Sequence, residues 1–106
     1  MTQDEDLLVA VELWHQHHQA ELGGEGISAT LRPRSTTYSK NSASIEFGTP
    51  GQLASAVFWD SGEAEVISAV LFDQEAPTIS IHRVGSASEV EALLDRLHAE
   101  LRRSSG

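Results

Sequence analysis

The sequence predicts a two-layer α+β fold: an antiparallel β-meander of about five strands, with an N-terminal and a C-terminal helix packed on one face. Three observations predict it. Apolar residues recur at helical spacing near both ends of the chain and alternate with polar ones in between. Every connection between the alternating runs is short, which favours strands that fold back on their neighbours. Each terminal helix carries one apolar stripe, and two such stripes need one apolar sheet face to bury against. The order is α-β-β-β-β-β-α, and 106 residues suit a single domain over 1–106 with one modest core.

The first helix opens on Thr2-Gln3-Asp4-Glu5, a capping box in which the Thr hydroxyl serves the N3 amide and the Glu reaches back. Asp4, Glu5 and Asp6 also set negative charge at the positive end of the helix dipole. Leu7, Ala10, Val11, Trp14 and His18 form one stripe, while Glu12, His15, Gln16 and Gln19 point elsewhere. Gly23-Gly24 is expected to stop the helix, since glycine takes the left-handed C′ position without strain. The helix therefore runs from about Gln3 to Leu22.

Ile27, Ala29 and Leu31 then alternate with Ser28, Thr30 and Arg32, so Gly26–Arg32 reads as a strand with one wet face. Pro33 lacks the ladder donor and either ends this strand or marks a sheet edge. Arg34–Asn41 is a loop, or the strand continues through Thr36–Tyr38 with a bulge. Ser42–Phe47 alternates again, and Gly48-Thr49-Pro50-Gly51 is a turn.

Two apolar runs, Leu53–Trp59 and Ala64–Phe72, flank Asp60-Ser61-Gly62-Glu63 and read as a hairpin. With Ser61 and Gly62 as the loop, Asp60 faces Glu63, Trp59 faces Ala64 and Val57 faces Val66. Trp59, Val57, Val66, Val70 and Phe72 then share one side. Ala54, Ala56, Phe58, Ile67, Ala69 and Leu71 take the other, an apolar second face of the kind that marks a partner surface. A bulge would invert this assignment. Gln74-Glu75-Ala76-Pro77 turns into a fifth strand, Thr78–Val84, with Ile79 and Ile81 on one face and Ser80 and His82 on the other. Ser86-Ala87-Ser88-Glu89 is a second capping box. Val90, Leu93, Leu94, Leu97 and Leu101 form the stripe of the last helix, with Arg102 and Arg103 at its C-terminus. Ser104-Ser105-Gly106 is expected to fray.

Composition bounds the function. Sixteen acidic residues face seven basic ones, for a net charge of -9 and a pI near 4.8. This excess argues against nucleic acid and anionic membrane as partners, since both need a basic surface. It suits a basic protein partner, and it also confers solubility. The chain has no cysteine, which excludes disulfides, thiolate metal sites and a cysteine nucleophile. The N-terminus is acidic where a signal peptide would be basic, and no apolar run approaches about 18 residues. A cytoplasmic protein is the expectation.

Candidate chemistry is sparse. His15, His17 and His18 cluster in the first helix, but zinc wants three or four ligands in tetrahedral array. Only His82, His98 and carboxylates remain to complete such a set. The better reading has His18 at the end of the buried stripe, with His15 and His17 solvated. No G-x-S-x-G elbow and no phosphate-binding G-x-x-x-x-G-K-[ST] run occurs. Carboxylates for glycosidase-type work would need a cleft, whereas a hairpin tip is convex. No catalytic residue, metal or cofactor is expected.

What stands out is an acidic surface. Asp60, Glu63 and Glu65 gather at one hairpin end, with Glu46 on an adjacent strand and Trp59 beside them. Grouped carboxylates steer a basic partner and pair with its Lys and Arg groups. Trp14 in the first helix, Leu22-Gly23-Gly24-Glu25-Gly26-Ile27, Ser42-Ala43-Ser44-Ile45-Glu46-Phe47, Phe58-Trp59-Asp60-Ser61-Gly62-Glu63-Ala64-Glu65 and a leucine-rich last helix follow in order. Together these words resemble small bacterial immunity proteins of the polymorphic-toxin world, of the type called TriTu. The resemblance implies a cytoplasmic antidote without enzymatic activity that binds a cognate toxin domain, often a basic nuclease, and blocks its active site. Asp60, Glu63, Glu65 and Glu46 would be its contacts, supported by Trp59. The alternative is an acidic secretion-chaperone-like protein that holds an effector segment and dimerises through the second sheet face.

Overall fold

The computed structural model describes residues 3–37, 40–71 and 76–105. Helix α1 (Gln3–Gly24) leads into β1 (Ser28–Thr37), β2 (Lys40–Thr49), β3 (Gln52–Trp59), β4 (Glu63–Val70) and β5 (Thr78–Arg83), and helix α2 (Ala87–Ser105) follows. The strands form one five-stranded sheet in sequence order, and each neighbouring pair is antiparallel. Both helices lie on the same face of it. Leu8, Val11 and Trp14 of α1 and Val90, Leu94 and Leu101 of α2 share one buried cluster with Ala43, Ile45, Phe47, Ala54, Ala56 and Phe58 of the sheet. The chain thus has the expected α+β architecture and element order. Among the largest side chains, Phe58, Leu8, Leu22, Ile27, Ile45, Leu94 and Leu101 are under 2% exposed, and each contributes about 1.5–3 kcal/mol of transfer free energy.

Helix α1 ends two residues later than Gly23-Gly24 suggests. The Ile27 amide donates to the Leu22 carbonyl at 3.0 Å and the Gly26 amide to Gly23 at 3.1 Å, the paired bonds of a Schellman motif. Gly26 is the left-handed residue, at φ 79, and Leu22 and Ile27 bury together beneath it. At the other end of α1, Thr2 of the capping box lies outside the described residues.

Strand β1 runs through Pro33, with a register shift between Arg32 and Ser35. The bulged continuation is therefore the correct alternative, and the reason is position: β1 is an edge strand, where a missing ladder donor costs nothing on the open side. Tyr38 lies outside the described residues. Between β2 and β3, Thr49 pairs with Gln52, so Pro50 and Gly51 form the connection while Gly48 and Thr49 belong to β2.

The β3–β4 hairpin corrects the expected register. Phe58 pairs with Ala64, Val57 with Glu65 and Ala56 with Val66. The Gly62 amide donates to the Trp59 carbonyl at 3.0 Å, and Gly62 sits at φ 95. The loop is therefore Asp60-Ser61-Gly62, three residues ending on a left-handed glycine. One extra loop residue shifts the register by one and exchanges faces between the two strands. Ala54, Ala56 and Phe58 lie with Ala64 and Val66 under the helices, while Val57 and Trp59 lie with Glu65 and Ile67 on the helix-free face. Phe72, which the expected register placed beside Val70, lies outside the described residues, as do Gln74 and Glu75 of the following turn.

Helix α2 begins as the second capping box predicts, with a variation. The Glu89 amide donates to Ser86 Oγ at 3.3 Å, while the Glu89 carboxylate accepts from the Gly85 amide at 3.3 Å. The two helices are joined by polar contacts. Trp14 Nε1 donates to Asp95 at 2.8 Å and the indole stacks on His18, with centroids 4.2 Å apart. Further along, His98 Nε2 donates to Glu25 at 2.7 Å, and Arg102 Nε lies 2.8 Å from the other Glu25 oxygen.

Candidate interaction surface

Strand pleating divides the sheet residues between two faces. One is filled by the helices. The other carries no helix, and the register fixes what it presents. One row reads Thr30, Glu46, Ser55, Ile67, Ile79, and the next reads Arg32, Ser44, Val57, Glu65, Ile81. The face is graded. Its β1–β2 side is polar, with serine, threonine, Arg32 and Glu46. Its β3–β5 side is apolar, where Leu53 is 51%, Ile79 60% and Ile81 67% exposed. A shallow depression of about 240 Å³ lies on this side, and Glu46, Leu53, Ser55, Ile67, Ala69 and Pro77 are among its lining residues.

Four of the five residues singled out in the sequence share this face. Glu46, Trp59, Glu63 and Glu65 all point from it, and Asp60 lies in the turn at its end. Their carboxylates differ in what already holds them. Glu46 pairs with Arg32, at 2.6 Å from Nη2 and 2.8 Å from Nε, so its charge is largely met within the sheet. Asp60 accepts from the Asn41 side-chain amide at 3.0 Å, and the Asp60 amide donates to the Asn41 carbonyl at 2.9 Å. These bonds fix the hairpin tip against β2. Glu63 accepts from Ser61 Oγ at 3.0 Å and stands opposite Arg83 in the ladder. Glu65 is half-buried between Val57 and Ile81. Trp59 is half-buried beside the tip. The acids therefore form a rim at one end of an apolar strip, with Glu46 two strands away on the polar side.

The histidines have separate hydrogen-bond partners, although the rings of His18 and His98 meet edge to face with centroids 6.2 Å apart. His15 Nε2 lies 3.0 Å from the Ala29 carbonyl, tying α1 to the β1 edge. His17 is exposed. His18 Nδ1 lies 2.9 Å from the Trp14 carbonyl, consistent with its place at the end of the stripe. His98, weighed above only as a candidate metal ligand, is buried. It sits four residues after Leu94 on the apolar stripe, and that placement was the available signal: a histidine there needs a polar partner. Glu25 is that partner. The His98 hydrogen bond holds the Glu25 carboxyl below its ordinary range, and the nearby Arg102 guanidinium acts in the same direction. Among the described residues, no group of three or more His, Asp or Glu side chains is arranged to hold a metal ion.

Two further concavities lie on the helix side of the sheet. A groove of about 380 Å³ runs between α1 and the start of α2, lined by Leu7, Val9, Leu13 and Trp14 with His17, His18 and Glu91 at its polar margin. On the helix side of β5, Ser80 Oγ lies 2.9 Å from His82 Nε2, within a depression of about 100 Å³ shared with Leu93, Arg96 and Glu100. The Ser80–His82 distance suits a nucleophile and base, but the two sit two residues apart on an edge strand in a shallow dip.

Comparison with protein-family models, with curated proteins and with solved structures found no match to this chain. No described helix is long and apolar enough to cross a membrane.

Proposed function

We propose that this chain is a non-enzymatic protein-binding domain, a cytoplasmic immunity protein of the polymorphic-toxin type, which neutralises a basic toxin domain by docking its helix-free sheet face. The observation that carries this reading is the joining of two features on one surface. An exposed apolar strip, Leu53, Ile67, Ile79 and Ile81, ends on a rim of carboxylates, Asp60, Glu63 and Glu65, with Trp59 between them. Apolar centre and charged rim are the usual anatomy of a protein interface. A net charge of -9 draws a cationic partner and repels nucleic acid. Glu65 reaches a bound Lys or Arg from a half-buried position, where an ion pair is screened less than at an open surface.

The reading predicts a basic toxin domain encoded beside this chain's gene, and that domain tests it. Mixing at equal stoichiometry is expected to abolish toxin activity, and Glu65→Lys is expected to restore it. Full toxin activity in the presence of excess chain rejects the proposal. A second reading, an acidic chaperone for an unfolded effector segment, is favoured by the exposed isoleucines of β5. It separates from the first by its client, because a chaperone binds the effector unfolded and an immunity protein binds its toxin folded.

A further inference from the structure

The sheet has two edges, and among the described residues only β1 is guarded. Edge strands expose unpaired amides and carbonyls, and natural proteins blunt them with proline, bulges and charge. Strand β1 has all three: Pro33, the register shift between Arg32 and Ser35, and the side chains of Arg32 and Arg34. Strand β5, Thr78-Ile79-Ser80-Ile81-His82-Arg83, has no proline or bulge within it. It also has no acid, in a chain with sixteen. No carboxylate of β5 itself therefore opposes a second copy, and the strand offers Arg83 as its one charged end.

We infer that β5 pairs with β5 of a second copy about a twofold axis, joining two five-stranded sheets into one. The occupant follows from the pleat. In an antiparallel pair, opposed residues point to the same face, so the isoleucine side of one β5 always meets the isoleucine side of the other. Of the registers this allows, the one centred on Ser80 sets Ile79 against the second copy's Ile81 and Ile81 against its Ile79. Side chains that are 60% and 67% exposed in one chain become a four-isoleucine cluster on the helix-free face. In the same register Arg83 falls opposite Pro77, which has no donor to give, so pairing stops where the strand stops. Shifting by two residues leaves only one Ile–Ile pair. The contact lies along an edge and leaves the rim of Asp60, Glu63 and Glu65 outward, although it shares Ile79 and Ile81 with the apolar strip of the open face.

Two measurements on the full chain test this. A six-residue edge is a small interface, so sedimentation velocity is expected to show a reversible dimer with a Kd of about 1–100 μM. Ile81→Lys is expected to weaken it at least tenfold, since a lysine on an edge blocks strand addition. The second measurement uses the absence of cysteine. Ser80→Cys places two thiols on the axis, with Cα atoms about 4.5–5.5 Å apart, inside disulfide reach. Mild oxidation is expected to link this variant far faster than Thr30→Cys on the β1 edge. A chain that remains monomeric at about 1 mM, a dimer that Ile81→Lys leaves intact, or equal cross-linking of the two cysteine variants overturns the inference.

Discussion

Gly62 carries more structural consequence than its size suggests. It holds φ 95, and a Cβ there would stand 2.9 Å from the Val84 carbonyl oxygen. The Val84 amide donates to the Gly62 carbonyl at 2.8 Å, so the turn also fixes the exit from β5 toward α2. Gly26, at φ 79, has open space around it. Gly62→Ala should therefore destabilise by about 2 kcal/mol or more and Gly26→Ala by about 1 kcal/mol, as read from urea midpoints. Glu25 supplies a pH-dependent term. Because the folded protein holds its carboxyl below the ordinary range, chiefly through the His98 hydrogen bond, the unfolded chain binds more protons in acid. Stability contributed here is complete above the unfolded value, about 4.3, and is lost as pH falls through the folded one. The stability gap between wild type and Glu25→Gln should be widest near neutrality and should narrow as pH falls below the ordinary carboxyl value, about 4.3. The Glu25 partnership was not legible in the sequence, since His98 lies 73 residues away. Half of it could have been read, because a histidine on the Leu94–Leu101 stripe demands a buried acceptor.

At the scale of elements, the lesson lies in the β3–β4 hairpin. The turn was legible from Ser61-Gly62 between two apolar runs, and so were both strands. Whether the loop holds two or three residues depends on the backbone angle at Asp60, which residue types there do not fix. That one residue decides whether Phe58 or Val57 faces the helices. The alternation pattern could not arbitrate, because both faces of β3 carry apolar side chains: Ala54, Ala56 and Phe58 on one, Leu53, Val57 and Trp59 on the other. Mutation separates the two registers. Phe58→Ala is expected to cost about 3–5 kcal/mol, while Val57→Ala should cost under about 1 kcal/mol. The reverse ranking in urea unfolding would restore the two-residue loop. Helices read more surely, since a stripe at 3.6-residue spacing and a capping Ser or Gly are local. Even there, Leu8 and Leu22 are buried and were absent from the expected stripe, because α1 meets α2 as well as the sheet and so buries a wider arc.

On the scale of the whole molecule, charge and topology combine. Local cross-links hold the layers together: Arg34 grips Glu12 through two hydrogen bonds of 2.8 Å, joining β1 to α1 and holding the Glu12 carboxyl below its ordinary range. The pair is partly exposed, so Arg34→Ala is expected to cost only about 0.5–1 kcal/mol, and less in high salt. The sheet order leaves one face without helices, and three of the chain's sixteen acids, Asp60, Glu63 and Glu65, gather at one end of it. The antiparallel meander and its helix cover were legible from short connections and paired stripes. The composition of the open face was not, because it follows from the register.

Association kinetics with the basic toxin domain proposed as the partner, measured by stopped flow across a salt series, test the proposed binding face most directly. The wild-type rate should fall steeply with ionic strength, and Asp60→Ala/Glu63→Ala/Glu65→Ala should be about tenfold slower at low salt with a flattened dependence. A triple variant that associates at the wild-type rate, with the wild-type salt slope, would contradict the assignment of the helix-free face and its acidic rim as the surface that meets the partner.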